Sequence, residues 1–144
     1  MADTIFEELR TDHDTQRRLA ELTAKTEGDS DGRRELFDRL VKELERHADA
    51  EEKFFYSELL KHELTRDKAR HSVAEHKELD DRIAELQETD LSSPAWLPRF
   101  KDLAHRVEHH LAEEEREVFQ PAGKVLNDDE KIRLGSAYRQ MMEA

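Results

Sequence analysis

Apolar residues recur every three to four positions through most of this chain, which is the spacing of a buried helix stripe and not of a strand. Ile5, Leu9, Leu19 and Ala20 mark the first stripe, and Thr4 with Glu7 can form a capping box ahead of it, so the first helix is expected over roughly 5–25. "TEGDSDG" at 26–32 breaks the pattern with two glycines and small polar residues; it has too few spaced oxygen ligands for a calcium loop and reads as a plain turn. A second helix, about 33–60, carries Leu36, Phe37, Leu40, Val41, Leu44, Phe55 and Leu59. After a break around 61–65, the third carries Ala69, Val73, Leu79, Ile83 and Leu86. In "ETDLSSP", Ser93 is placed as a cap and Pro94 as the first helical residue. The fourth helix carries Leu97, Phe100, Leu103, Val107, Leu111 and Val118 and weakens at "FQPAGK". Asn127 or Asp128 then caps a short fifth helix over about 128–143 holding Ile132, Leu134, Tyr138 and Met141. Four long amphipathic helices on short loops predict an all-α, antiparallel up-down-up-down four-helix bundle over about 5–120, with a short extra C-terminal helix. One domain spanning 1–144 is expected, and no stretch has a strand pattern.

Composition narrows the chemistry. Charged residues make up 42% of the chain against 35% apolar, a mixture that only the helical periodicity separates from disorder. The net charge of −12 argues against nucleic acid and against anionic membrane surfaces, which need a basic face. With no cysteine, disulfides, thiol catalysis and thiolate metal sites are excluded. "MADTIFEELR" lacks the basic and apolar regions of a secretory signal, so a cytoplasmic location is expected.

The informative residues are polar ones on apolar stripes. Helical positions advance about 100° per residue, so each histidine can be placed against its own helix. Measured from Val107, His110 falls at roughly −60° and Glu114 at roughly −20°, inside the apolar arc, whereas His109 falls at roughly 200° and Glu113 lies outside. Measured from Leu44, His47 and Glu51 fall at the same two angles, and the motifs align without a gap. His76 sits with Val73, Leu79 and Ile83, while His71 is turned to the side; His13 lies at the edge of the arc of Ile5, Leu9 and Ala20. One histidine per helix therefore faces the core, and two helices add a glutamate one turn later.

A single buried histidine needs only a hydrogen bond. Two buried carboxylates are another matter, since each costs several kcal/mol without a counter-charge, and no lysine or arginine on these stripes supplies one. A metal cation would, and imidazole with carboxylate suits iron, zinc, nickel or copper better than magnesium or calcium. Six inward ligands exceed one tetrahedral zinc and suit two metals bridged by carboxylates. The outward "HxxxH" at 105–109 reads as an adventitious surface site, and Trp96 with Phe100 as packing.

The order His13, His47-x-x-x-Glu51, His76, His110-x-x-x-Glu114, with the local texts "HADAEEKFFY", "AEHKELDDRI" and "HHLAEEEREVF", resembles the hemerythrin-like (HHE cation-binding) domains over roughly residues 5–120. The resemblance implies a non-haem di-iron centre with His13, His47, His76 and His110 as terminal ligands and Glu51 and Glu114 as bridges. It implies two iron ions as cofactor and dioxygen, peroxide or nitric oxide as the ligand or reactant. Oxygen carriers of that family have a second helix 3 histidine four residues from the first. The positions four away from His76 hold Ser72 and Asp80, so Asp80, Tyr56, Glu58 or water is expected to take that place, which favours reaction with a small oxidant over reversible carriage. Asp12, Gln16 and Glu52 are candidates for hydrogen bonds around the ligands. The alternatives are an oxygen or iron sensor that acts through a separate partner, and a zinc- or manganese-loaded structural bundle without turnover.

Overall fold

The computed structural model describes residues 3–144, and among them every regular element is helical. Helix α1 (Ile5–Ala24) begins with the expected capping box: Glu7 N–H donates to Thr4 Oγ1 (3.3 Å) and Thr4 N–H to Glu7 Oε1 (3.0 Å). The turn after it passes through Gly28 at φ +59°, a left-handed conformation that glycine adopts without a Cβ clash. Helix α2 (Asp31–Glu51) starts two residues before the expected position 33, because Ser30 accepts from the Arg33 N–H (3.1 Å). It runs on through a π-helical turn, Glu52–Tyr56, and a last α turn, Ser57–Leu59. Helix α3 is Glu63–Gln87. Helix α4 (Trp96–Glu113) passes through a second π-helical turn, Glu114–Val118, into Phe119–Val125. Helix α5 (Asp128–Glu143) opens with an Asn127/Glu130 capping box.

Three expectations are corrected. Ser93 and Pro94 do not start α4: they form the turn before it, with the Ser93 carbonyl accepting from Trp96 N–H (3.0 Å), and Pro98 occupies the first turn, where a missing N–H is tolerated. The helix does not fade at "FQPAGK". Pro121 falls in the first turn of Phe119–Val125, directly after the π turn, and the segment continues to Val125. In α5, Ile132 faces solvent and Met142, not Met141, is the buried methionine, with Leu134 and Tyr138 buried as expected.

The apolar interior is split in two. One cluster contains Ile5, Leu9, Phe55, Tyr56, Leu59, Ala69, Val118, Phe119 and Tyr138. The other contains Leu19, Phe37, Leu40, Leu44, Leu79, Ile83, Leu86, Trp96, Phe100, Leu103 and Leu111. On α1, α2 and α3 the inward histidine lies in sequence between the helix's contributions to the two clusters, and on α4 His110 and Glu114 flank Leu111, the last residue it gives to the second cluster. A polar layer is thereby held between two apolar plugs that exclude water from it. Helix α5 packs on α1 and α2, so tightly at Gly135 that a Cβ there would meet the Asp3 carbonyl oxygen at 2.7 Å and the Ile5 nitrogen at 2.8 Å.

The second plug is closed at its end by a charge that the apolar stripes do not reveal. Arg33 is buried, its guanidinium stacked on Trp96 at 4.5 Å. It donates to Thr26 Oγ1 (2.9 Å), the Thr26 carbonyl (2.6 Å) and the Leu91 carbonyl (2.9 Å), joining the α1–α2 and α3–α4 loops.

Candidate metal centre

His13, His47, Glu51, His76, His110 and Glu114 are all buried in the polar layer. On α4 the side chains point as helical phase predicts: His110 and Glu114 face inward, whereas the His109 side chain is 63% exposed and His105 is exposed too. The six residues form two donor groups that share a carboxylate, His13/His47/Glu51/Glu114 and Glu51/His76/His110.

Glu51 serves both groups with separate oxygens, and Glu114 belongs to the first and only approaches the second. Glu51 places Oε2 3.5 Å from His47 Nε2 and Oε1 3.1 Å from His76 Nε2. Glu114 places Oε1 3.1 Å from His13 Nε2 and Oε2 4.0 Å from His110 Nε2. Metal–ligand bonds of about 2.1 Å put neighbouring donors about 3.0 Å apart at octahedral angles and about 3.4 Å apart at tetrahedral ones. Three of the four distances fall close to that range.

The other face of every imidazole is occupied. His13 Nδ1 meets Glu115 (2.8 Å), His76 Nδ1 meets Glu52 (3.2 Å) and His110 Nδ1 meets Glu75 (2.8 Å). His47 Nδ1 meets the Tyr138 hydroxyl (2.5 Å), which donates to Asp12 (2.5 Å), and Asp12 accepts in turn from Arg139 (3.1 Å). Acceptors at Nδ1 fix the tautomer with the proton on Nδ1 and a lone pair on Nε2, the arrangement of metal-binding histidines. Lone pairs on Nε2 then face carboxylate oxygens, acceptor against acceptor. Accordingly His13, His47 and His110 Nε2, both Glu51 oxygens and Glu114 Oε1 are buried without a hydrogen-bond partner. Such a set is satisfied by cations placed between the donors, and the residues present fit a pair of metal ions.

In the absence of a metal ion a second proton can take the cation's place at His13 and His76. Burial opposes the charged form of His13 and His76, yet Glu114 and Glu115 lift the first to about 9, and Glu51 and Glu52 lift the second to about 10. Burial and the facing Glu51 push Glu114 up, while burial of Glu51 is outweighed by His47 and His76, which hold it well below the usual carboxylate range. Glu115 is pulled down to about 2 by its hydrogen bonds to His13 and to Arg17.

Of the residues expected around the ligands, Glu52 touches His76 directly and Asp12 reaches His47 through Tyr138. Gln16 makes no hydrogen bond to the ligands. Its amide is buried with neither end hydrogen-bonded, and it lines a cavity of about 20 Å³ beside His47, His76 and His110. Glu75, Glu115 and Tyr138 join the ligands without any sign of it in their helical phase. Among the candidates for the missing helix 3 histidine, Asp80 is exposed and Glu58 pairs with Lys61 (3.1 Å). Tyr56 is fully buried with its hydroxyl hydrogen-bonded to Glu114, and Ser72 is buried nearby. The π turn is what brings Tyr56 inward: nine residues after His47 it would sit about 180° away on a regular α-helix.

Fold and site together define a helical, cation-binding His/Glu protein, and comparison with known families agrees. The family model of the hemerythrin HHE cation binding domain matches residues 4–122, and the chain belongs to that family. It is similar to the crystal structure of a hemerythrin HHE cation binding domain-containing protein from Mycobacterium kansasii, described as an Rv2633c homolog. The TM-score is 0.89 at 26% identity, covering 97% of this chain and 85% of that one. No curated protein matches. The family match ends before α5, so Tyr138 reaches His47 from outside it.

Proposed function

We propose that this chain is a non-haem di-iron protein that binds or reacts with a small oxidant (dioxygen, peroxide or nitric oxide) in the core of an antiparallel up-down-up-down four-helix bundle. His13, His47, His76 and His110 are the terminal ligands, and Glu51 and Glu114 are the bridges. The observation that carries this reading is the division of Glu51 between His47 and His76, one oxygen to each, with Glu114 set between His13 and, at 4.0 Å, His110, an arrangement that suits two bridged cations better than one. The bundle topology is supported by the alternating order in which α1 to α4 visit the two apolar clusters.

When bound, the iron pair supplies redox chemistry toward the small ligand. The chain's own residues do the rest. Carboxylates on Nδ1 of His13, His76 and His110 orient those rings and make Nε2 more electron-donating, whereas His47 has a phenol there. The two halves of the centre are therefore unequal. Tyr56 holds a proton against Glu114 and offers an oxygen ligand where oxygen carriers have a second helix 3 histidine. The cavity beside Gln16, walled by Leu44, Ile83, Val107 and Leu111, has room for about one water-sized molecule and so selects a diatomic or peroxide-sized ligand.

Optical spectra of aerobically purified protein, taken with and without peroxide, test the proposal. It expects an oxo-bridge absorption that changes on adding peroxide, followed by measurable peroxide or nitric oxide consumption. One zinc per chain and no such bands would sink it.

A further inference from the structure

The surface of the α3–α4 seam repeats the pattern of the core. His71 and Glu75 on α3, and His109 and Glu113 on α4, are two further His-x-x-x-Glu pairs, and they face each other. His71 Nε2 lies 3.2 Å from Glu113 Oε1 and 3.5 Å from Glu75 Oε2, and these three donors form a compact group. His109 Nε2 lies 3.2 Å from the other Glu113 oxygen. All three spacings lie close to the edges, about 3.0–3.4 Å, of a site with bonds of about 2.1 Å.

Charge makes the cluster receptive. Among the described residues, neither Glu75 nor Glu113 forms an ion pair with a lysine or arginine; histidines are their only ionic partners. Both carboxylates are mostly covered while both imidazoles stand in solvent, so an ion can enter without opening the fold. Glu75 also belongs to the core arrangement: its Oε1 accepts from His110 Nδ1 at 2.8 Å while its Oε2 turns outward to His71.

We propose that His71, Glu75, Glu113 and His109 form an outer site for a divalent late first-row transition ion, joined to the core through the Glu75–His110 hydrogen bond. Two imidazoles with two carboxylates take zinc or ferrous ions in preference to magnesium or calcium. An ion there draws electron density from the Glu75 carboxylate and weakens its hold on His110, so the outer ion alters the core centre without touching it.

The site is independent of which metals the core holds, and the test keeps the two apart. The protein as purified, with its core complement counted by elemental analysis, is titrated with zinc in a calorimeter while the core optical bands are recorded. The expectation is one zinc per chain beyond the core complement, weakened at least ~10-fold by His71→Ala, His109→Ala or Glu113→Gln and unaffected by His105→Ala. Core absorption should shift on zinc addition in the parent protein and not in His71→Ala. Absence of a further zinc overturns the proposal, as does equal loss in His105→Ala, which marks adventitious surface binding. Failure of the di-iron reading appears instead in the core count before any zinc is added.

Discussion

Tyr138→Phe isolates the contribution of α5 to the centre. The ring stays and its packing in the first plug is kept, so no cavity opens. What disappears is one oxygen that accepts from His47 Nδ1 and donates to Asp12, both in a buried region. An orphaned buried donor costs about 1–3 kcal/mol, and a hydrogen bond to an ionised acceptor contributes about 1.5–3 kcal/mol. Asp12 keeps Arg139 on its other oxygen, which limits the sum, so a loss of about 2–4 kcal/mol is expected. His47 also loses the partner that fixes its tautomer, which lowers metal affinity by about 10–100-fold. Urea unfolding of metal-free protein reads the first effect, and competition with a chelator reads the second. A stability change under about 0.5 kcal/mol, with metal affinity unchanged, would refute the reasoning that α5 is part of the site.

The same geometry makes further substitutions informative. His110→Ala should empty the core of metal while His109→Ala leaves the core count intact by elemental analysis; equal loss from both overturns the assignment of faces. Gly135→Ala should lower the thermal midpoint, because forcing α5 off Asp3 and Ile5 costs about 1–3 kcal/mol against about 1 kcal/mol of helix propensity gained; a raised midpoint contradicts that close approach. Gln16→Leu should stabilise the protein by about 1 kcal/mol in urea unfolding, since it removes an unpartnered buried amide, yet weaken nitric oxide binding to the loaded centre. Unchanged nitric oxide affinity would show that Gln16 plays no part in holding a ligand.

The helix count, the capping box at Thr4, a cap at Asn127 or Asp128 and all six inward donors were legible in the sequence, because each depends on one helix at a time. A 100° step per residue is enough to decide between His109 and His110. Applied to Tyr56, named as a candidate ligand through the family resemblance, the same arithmetic would point it outward, since a π turn has more residues per revolution and rotates the side chains that follow it. Glu52, Glu75 and Glu115 are sequence neighbours of Glu51, His76 and Glu114, but each serves a histidine on a different helix. That partnership exists only once the helices are packed. Arg33 and Tyr138 belong to the same class, for a charge at a helix start and a tyrosine on a short helix carry no local sign of what they reach.

The central claim is that Glu51 and Glu114 bridge two cations, and magnetic susceptibility of the oxidised, metal-counted protein tests it most directly. Two irons per chain with their spins paired at low temperature is the predicted result. A single metal per chain, or two irons that remain magnetically independent, would contradict it.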